Sequence, residues 1–173
     1  ASKVQSALET LGSFYRNFLS KGDREIPLHR ELRITQDYLS LQKLRYGDIF
    51  EDEYILDDTT LDCMIPKLIL QPLVENCIYH GVRLKGEKCV IRITTRKEED
   101  GLRIIVYDSG IGMSDEQIKN ALKACKEDDV KIQSGFGLRG TISRIRYYCN
   151  CDNVVQIRSE PGEYTEIELY IPG

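Results

Sequence analysis

The first fifty residues carry apolar side chains at helical intervals, which predicts two consecutive helices. In the first, over residues 4–20, the apolar positions are Val4, Leu8, Leu11, Tyr15, Phe18 and Leu19. Lys21-Gly22-Asp23 ends this helix, and Pro27 opens the second one, which continues to Tyr46-Gly47. The pair forms a helical hairpin, or the tail of one helix followed by a connecting helix. In both cases the apolar stripes need a partner, either the following domain or a second copy of the chain.

From residue 52 onward, short alternating segments replace the long helical pattern. Alternation predicts strands, with hairpin turns at Gly101 and Pro161-Gly162, over residues 54–56, 89–96, 102–107, 154–158 and 165–171. Helices are predicted over residues 114–125 and 138–148, separated by a charged loop over residues 126–134. Another helix is predicted to start at Pro66 and run to about His80. Pro72 inside it should remove one backbone hydrogen bond and bend the helix.

The order of these elements indicates an α+β fold. Helices combined with a mostly antiparallel sheet in this order suggest a two-layer α/β sandwich, preceded by a short helical segment. We therefore divide the chain into a helical segment over residues 1–50 and a second domain over residues 51–173.

Composition narrows the class of protein. The chain has 173 residues, of which 41% are apolar and 30% charged, and a formal net charge of −4, as in an ordinary globular domain. Acidic and basic residues are mixed, which argues against the basic stripe of a nucleic-acid-binding protein. No apolar run approaches the roughly 20 residues of a membrane helix, and the first residues lack a signal-peptide pattern. We therefore expect a cytoplasmic fragment.

The cysteines follow no metal-binding or disulfide spacing. They are Cys63, Cys77, Cys89, Cys125, Cys149 and Cys151. Cys149 and Cys151 are close in sequence, but no histidine lies near them to complete a zinc site. Free thiols in a reducing cytosol are the favoured interpretation.

Three separated stretches have the chemistry of one ATP site. The first is the predicted helix around Glu75-Asn76, where Asn76 and His80 are four residues apart and can converge on one ligand. The Asn76 oxygen is a hard ligand suited to Mg²⁺, and His80 could donate to a phosphate oxygen. The alternative is a solvated helix face whose end is capped by Gly81.

The second stretch runs from Asp108 to Gly112 and follows a predicted strand. An Asp at a strand end can accept a hydrogen bond from the amino group of adenine, and Gly110 and Gly112 permit tight backbone beside a flat ligand. The alternative is an ordinary strand-end turn with Asp and Gly in their usual places.

The third stretch is the glycine turn Gly135-Phe136-Gly137-Leu138, which precedes a helix. Its N–H groups would stand at a helix N-terminus, where phosphate is favoured. It is not a Walker sequence, because no Gly-Lys-Ser/Thr follows. The loop between Met113 and Gly135 would close over bound nucleotide as a lid.

With these motifs the chain resembles the GHKL ATP-binding superfamily of gyrase, MutL and the histidine kinases. It is most similar to the cytoplasmic kinase region of LytS/YesM-like two-component sensor histidine kinases. The likeness spans nearly the whole chain, and the Gln71–Asn76 stretch, Gln-Pro-Leu-Val-Glu-Asn, is specific to that branch. The matching segments are residues 27–32, 38–48, 65–81 and 161–172, together with the two glycine turns.

The resemblance implies a Bergerat-type ATP-binding fold over residues 51–173 that uses ATP and Mg²⁺. It implies Mg²⁺ on Asn76, phosphate contacts from His80, and adenine on Asp108. Glu75 matches the acidic position that activates water in the ATPase members. The other implied nucleotide-binding residues are Gly110, Gly112, Met113, Gly135, Phe136, Gly137, Leu138 and Thr165, the last backing up Asp108 through water.

The resemblance also implies partners outside this sequence. The family's phosphoacceptor motif, Pro-His-Phe-x-Phe-Asn, is absent, and the two histidines present are His29 and His80. The γ-phosphate would pass to a His domain of the same or a paired protein and then to a response regulator. The full-length parent would be a homodimer in the cell membrane.

Two residues depart from the family pattern. Gly140 stands where Asn is common, and Tyr164 stands where a Gly usually precedes Thr165, beside the adenine wall. Two other functions stay open: an ATPase or ATP-driven clamp using Glu75, and a binding module without turnover. The helical prelude ending in Leu44-Arg45-Tyr46-Gly47-Asp48 favours the kinase.

Overall fold

A computed structural model of the chain describes residues 2–18, 24–123 and 137–173. Within these residues the α-helices are α1 (Ser2–Phe18), α2 (Leu28–Tyr46), α3 (Leu70–Asn76), α4 (Arg83–Lys85), α5 (Asp115–Leu122) and α6 (Leu138–Cys149). The strands are β1 (Glu25–Pro27), β2 (Phe50–Ile55), β3 (Met64–Pro66), β4 (Cys89–Glu98), β5 (Gly101–Asp108), β6 (Val155–Glu160) and β7 (Tyr164–Pro172). A π-helical turn, Cys77–Val82, joins α3 to α4. In the described part of the chain, no helix has the length and apolar character needed to cross a membrane.

Five strands form the main sheet in the order β2-β4-β5-β7-β6. β2 runs parallel to β4, and the other neighbouring pairs are antiparallel. In β5 and β7 alternate residues are buried, so that one face of the sheet is covered and the other is solvated. Asp108, the last residue of β5, lies opposite Thr165 on β7.

The helices cover one face of the sheet and share a single apolar core with it. Apolar side chains of α3 and of the π-turn after it are buried in this core: Leu70, Leu73, Val74, Cys77 and Ile78. Leu28, Leu32 and Leu39 of α2 belong to the same core. A two-layer α+β fold is therefore confirmed. The division of the chain at residue 50 stays a prediction.

The prediction that Pro66 starts a helix is wrong. Pro66 is the last residue of β3, which pairs with β1 in a small two-stranded sheet that the sequence reading missed. The helix begins at Leu70, because Leu68 has a positive φ of 62° that interrupts any helix running through it.

The expected effect of Pro72 is also corrected. Pro72 is the third residue of α3, within the first turn, where backbone N–H groups have no partner inside the helix. Pro72 therefore removes no helical hydrogen bond, and it does not bend the helix by that means.

The first strand of the main sheet is longer than residues 54–56. The alternation of β2 is hidden in the sequence, because the polar residue Asp52 lies on the same, more buried face of the strand as Phe50 and Tyr54. Its carboxylate accepts from the Tyr54 hydroxyl at 2.7 Å and pairs with Lys43 of α2. The helix predicted over residues 114–125 is helical from Asp115 to Leu122. The predicted loop over residues 126–134 lies outside the described residues.

Candidate functional site

A cavity of about 280 Å³ lies beside the buried end of β5. Its walls come from the α3 helix and the following π-turn, from the segment after β5, from α5 and from the start of α6. The lining residues are Asn76, His80, Gly81, Leu84, Asp108, Ile111, Gly112, Met113, Gln117, Ala121, Leu138 and Thr165. The structure thus brings together residues from the first two predicted stretches and one residue of the third.

Asn76 and His80 both line this cavity, as their spacing indicates. Asn76 ends the α-helical part of α3, and His80 stands in the π-turn that follows. Such turns insert an extra residue per turn and are often found at functional sites. Asn76 is half-buried and His80 is exposed, so both side chains are accessible to a ligand.

Glu75 is not among the lining residues. Consecutive helical residues point about 100° apart, so Glu75 cannot share the orientation of Asn76. Its carboxylate accepts a hydrogen bond from Gln71 at 2.9 Å and acts electrostatically on Tyr38 of α2. Glu75 therefore interacts with neighbours on α3 and α2.

Asp108 supplies the buried carboxylate of the cavity, with only 1% of its surface exposed. Its Oδ1 accepts a hydrogen bond from the Gly110 N–H at 2.9 Å, and the buried Cys77 thiol also donates to it. Burial raises the pKa of Asp108 to about 6, although these two hydrogen bonds oppose the rise. An ionised Asp108 is a strong acceptor in a water-poor pocket.

Two glycines make room for this carboxylate. A Cβ added at Gly81 would lie 2.4 Å from Asp108 Oδ1. One added at Gly110 would lie 2.4 Å from the carbonyl carbon of Gly81. The π-turn and the segment after β5 therefore pack backbone against backbone, which larger residues would prevent.

Gly112 and Met113 are held by the last residues of β6. Gly112 has φ +71°, and a Cβ there would lie 2.1 Å from the Glu160 carbonyl oxygen. The Met113 N–H donates to Ser159 Oγ at 2.7 Å, and Ser159 Oγ also lies 3.1 Å from Thr165 Oγ1. The end of β6 thus holds one wall of the cavity beside Thr165.

Neither departure from the family pattern enters the cavity lining. Tyr164 precedes Thr165, so its side chain lies on the opposite face of the sheet. There its ring stacks on Tyr107 at 5.9 Å with an interplanar angle of 22°. Gly140 is an exposed residue in the first turn of α6.

The second glycine turn is only partly described. Leu138 lines the cavity, and Gly137 is the N-cap residue of α6. Among the described residues beyond its chain neighbours, no atom lies within 4 Å of a Cβ added at Gly137. Gly135 and Phe136 lie outside the described residues. The start of α6 therefore borders the cavity through Leu138. The N-terminus of a helix is a place where an anion is favoured.

The residues present fit a nucleotide with a metal ion bound largely by the nucleotide itself. No cluster of three or more His, Cys, Asp or Glu side chains suited to a metal occurs in residues 2–18, 24–123 and 137–173. Asn76 offers one amide oxygen, and Mg²⁺ commonly takes few protein ligands and completes its shell with phosphate and water.

Sequence reasoning missed several residues that shape the site. Gln117 and Ala121 reach the cavity from α5, whose start is fixed by a capping box between Ser114 and Gln117. That Ser-x-x-Gln spacing was a readable signal. Lys85 Nζ binds the carbonyls of Gly110 and Gly162, and only the three-dimensional fold could indicate this.

Comparison with known proteins decides the family. A model described as "Histidine kinase-, DNA gyrase B-, and HSP90-like ATPase" matches residues 63–173, and a histidine kinase model matches residues 1–50. The chain belongs to this ATPase family. Within this family, the chain is an ATP-binding domain of the sensor histidine kinase type.

Relatives of this histidine kinase branch cover most of the chain. Sensor histidine kinase YpdA of Escherichia coli is 33% identical over 156 residues, which are 90% of this chain and 26% of that protein. Sensor histidine kinase YesM of Bacillus subtilis is 28% identical over 170 residues, 98% of this chain and 28% of that protein. The chain thus spans little more than a quarter of the length of these relatives.

A solved structure shows the same fold. The histidine kinase domain of the blue-light activated histidine kinase of Erythrobacter litoralis EL346 superposes with a TM-score of 0.60 and 16% identity. The match covers 96% of this chain and 72% of that one. The fold of the histidine kinase family is therefore shared across low sequence identity.

Proposed function

We propose that this chain binds Mg-ATP in the cavity at the end of β5 and donates the γ-phosphate to a histidine of another domain. The observation that carries the proposal is Asp108, a buried carboxylate at a cavity otherwise lined largely by apolar side chains. Such a group reads the amino group of adenine and rejects guanine, which presents a carbonyl at that position. Asn76 would hold Mg²⁺, and Thr165 would support Asp108.

The chain needs no nucleophile of its own for this reaction. Phosphoryl transfer requires in-line positioning of ATP and neutralisation of its charge. Asn76, His80 and Leu138, the first residue of α6, all line the cavity, and this set suits the binding of a triphosphate. Mg²⁺, when bound, would withdraw charge from the phosphate oxygens.

Neither histidine of the chain suits the role of acceptor. His80 belongs to the cavity wall. His29 lies at the start of α2, where its Nδ1 is 3.1 Å from the Leu61 carbonyl oxygen and 3.4 Å from Asp62 Oδ1. The acceptor would therefore come from a His domain of the same or a paired protein, which then passes the phosphate to a response regulator. A homodimeric parent protein in the cell membrane would bring these parts together.

Calorimetric titration with ATP and with GTP tests the nucleotide assignment. We expect ATP to bind and GTP to bind at least about tenfold more weakly. In Asp108→Ala the ATP affinity should fall by roughly 1–3 kcal/mol, because the adenine amino group loses its acceptor. Equal affinity for both nucleotides would remove Asp108 as the specificity group.

Incubation with γ-labelled ATP tests the transfer. The chain alone should stay unlabelled, whereas an added His-containing helical domain should acquire acid-labile, alkali-stable phosphate. Label on the chain alone that disappears in His29→Gln would instead make His29 the acceptor.

A further inference from the structure

A buried carboxylate on α2 caps the helix that carries Asn76. Glu31 is fully buried, and its Oε2 accepts a hydrogen bond from the Leu68 N–H at 3.0 Å. Its Oε1 accepts from the Leu70 N–H at 3.1 Å, and the Ile69 N–H also binds it. Ile69, the N-cap residue of α3, has no capping side-chain hydrogen bond of its own. Glu31 therefore satisfies, from a different helix, the N–H of the first residue of α3 and the two N–H groups that precede it.

The same segment is held from its other side by α6. Arg144 donates from its guanidinium to the Leu68 carbonyl oxygen at 2.5 Å. Burial raises the pKa of Glu31, and the three N–H groups and the positive charge of Arg144 oppose this rise. Leu68 keeps its unusual positive φ between these two contacts. One short segment thus joins α2, α3 and α6.

Two of those helices form walls of the nucleotide cavity. α3 ends with Asn76, and α6 begins with Leu138, and both residues line the cavity. The segment held by Glu31 therefore fixes the relative place of both walls, although none of its residues lines the cavity.

α2 also contacts the far end of this helical unit. Tyr46, the last residue of α2, packs edge-on against Tyr79 of the π-turn at 6.4 Å, and the Arg83 guanidinium lies over both rings. The start of α2 contacts the start of α3, and the end of α2 contacts the turn after it. The two helices therefore run side by side in the same direction.

We propose that Glu31 is a positioning residue for Mg-ATP, which fixes Asn76 relative to α2 by holding the start of α3. The inference rests on the proposed function, since it concerns the same cavity. Because α1 packs against α2, a displacement of the helical segment would reach Asn76 through this contact.

A carboxylate is required because two oxygens must both accept. Glu31→Gln keeps nearly the same side-chain volume but replaces one oxygen with an NH₂ group. The hydrogens of this group would face a backbone N–H, so a donor would meet a donor. Glu31→Asp keeps both acceptors on a side chain shorter by one methylene. The loss of Mg-ATP affinity should therefore be larger in Glu31→Gln than in Glu31→Asp. Glu25→Gln makes the same charge change at an exposed residue of β1 and serves as the matched control.

The test measures binding and helix order on the 173-residue chain. In Glu31→Gln we expect Mg-ATP affinity to fall about tenfold, while adenosine affinity changes less than about twofold, since Asp108 lies on β5. Without nucleotide, amide hydrogen exchange at Val74 and Asn76 should accelerate about tenfold. Glu31→Asp should recover part of both effects, and Glu25→Gln should match wild type.

The outcomes of this experiment separate the inference from the proposed function. Equal losses for adenosine and Mg-ATP, or unchanged exchange in α3, would overturn the positioning role. Absence of Mg-ATP binding in wild type would overturn the proposed function, and the exchange data would still decide whether Glu31 holds α3. If Glu31→Gln fails to fold by circular dichroism, the Glu31→Asp measurements decide, with the same expected direction.

Discussion

The thiol of Cys77 donates a hydrogen bond to the carboxylate of Asp108, linking the π-turn to the end of β5. Both groups are almost completely buried. The bond stabilises the ionised carboxylate, and it therefore opposes the rise in the pKa of Asp108 that burial causes. The ligand-accepting form of Asp108 thus depends on a thiol that never needs to touch the ligand.

Removing this donor should move the pH dependence of adenine binding. We expect adenosine affinity to fall as pH decreases through about 6, where Asp108 takes up a proton and becomes a weaker acceptor for the amino group. In Cys77→Val the midpoint should rise by about half a unit to one unit, since the ionised carboxylate loses the hydrogen bond from the thiol. Amide chemical shifts, titrated with adenosine from pH 5 to 8, measure the midpoint without phosphate titration.

Cys77→Ser is the control for that experiment, because a hydroxyl replaces the thiol as donor. Its midpoint should stay near that of wild type. A Cys77→Val midpoint indistinguishable from wild type would show that the thiol does not influence Asp108.

Asp108 should destabilise the nucleotide-free chain at neutral pH. The folded-state pKa of about 6 lies above the ordinary value of 3.8. The stability linked to the protonated carboxyl is therefore fully present below pH 3.8 and is lost as pH rises through about 6. Asp108→Asn, which carries no charge, should then have a higher Tm than wild type at pH 8 and a smaller advantage at pH 4. Thermal unfolding at both pH values checks this, and a pH-independent difference would contradict it.

Gly81→Ala should abolish most nucleotide binding while leaving the sheet folded. Its methyl group would lie 2.4 Å from Asp108 Oδ1, so the carboxylate or the π-turn must move. We expect ATP affinity to fall at least about tenfold, since overpacking shifts neighbouring groups. Calorimetry with ATP and circular dichroism measure the two effects. Gly173→Ala is the matched control, because its Cβ would meet no atom closer than 3.6 Å.

Asn76→Ala should weaken Mg-ATP much more than adenosine. The amide oxygen is the proposed metal ligand, whereas adenine would be read by Asp108 on another element. We expect a loss of about tenfold or more for Mg-ATP and under about twofold for adenosine. Equal losses would mean that Asn76 serves the fold alone.

Glu75→Gln, one residue earlier, distinguishes the kinase from an ATPase that activates water. Because Glu75 does not line the cavity, we expect its Mg-ATP affinity and any basal ATP hydrolysis to match wild type. Hydrolysis lost in Glu75→Gln, measured as phosphate release, would favour the ATPase.

Local patterns predicted the main sheet and most helices, because alternation and helical spacing record burial directly. The buried residues of α3 were readable in this way, as was the end of β5 at Asp108. The small sheet of β1 and β3 was not, since three-residue strands are too short to show alternation. The start of α3 depends on the positive φ of Leu68, which no local residue preference indicates.

Residues of the candidate site could be predicted where their role depends on residue type. They could not be predicted where their role depends on contacts between distant parts of the chain. Asn76, His80 and Asp108 were read from their chemistry, and the structure places them around one cavity. The orientation of Glu75 was not readable, because the sequence did not show where α2 would pack. Ser159 and Lys85 bind backbone groups that are distant in sequence, so the residues next to them in the sequence do not indicate these contacts.

The position of β7 in the sheet has a consequence for synthesis of the chain. β7 is the last in sequence of the five strands of the main sheet, yet it lies between β5 and β6. A growing chain that has reached residue 160 holds β5 and β6 without the strand that joins them, and two strand edges stay open. A stop codon just before Tyr164 would therefore remove the interior of the sheet, including Thr165 beside Asp108. We expect such a shortened product to aggregate.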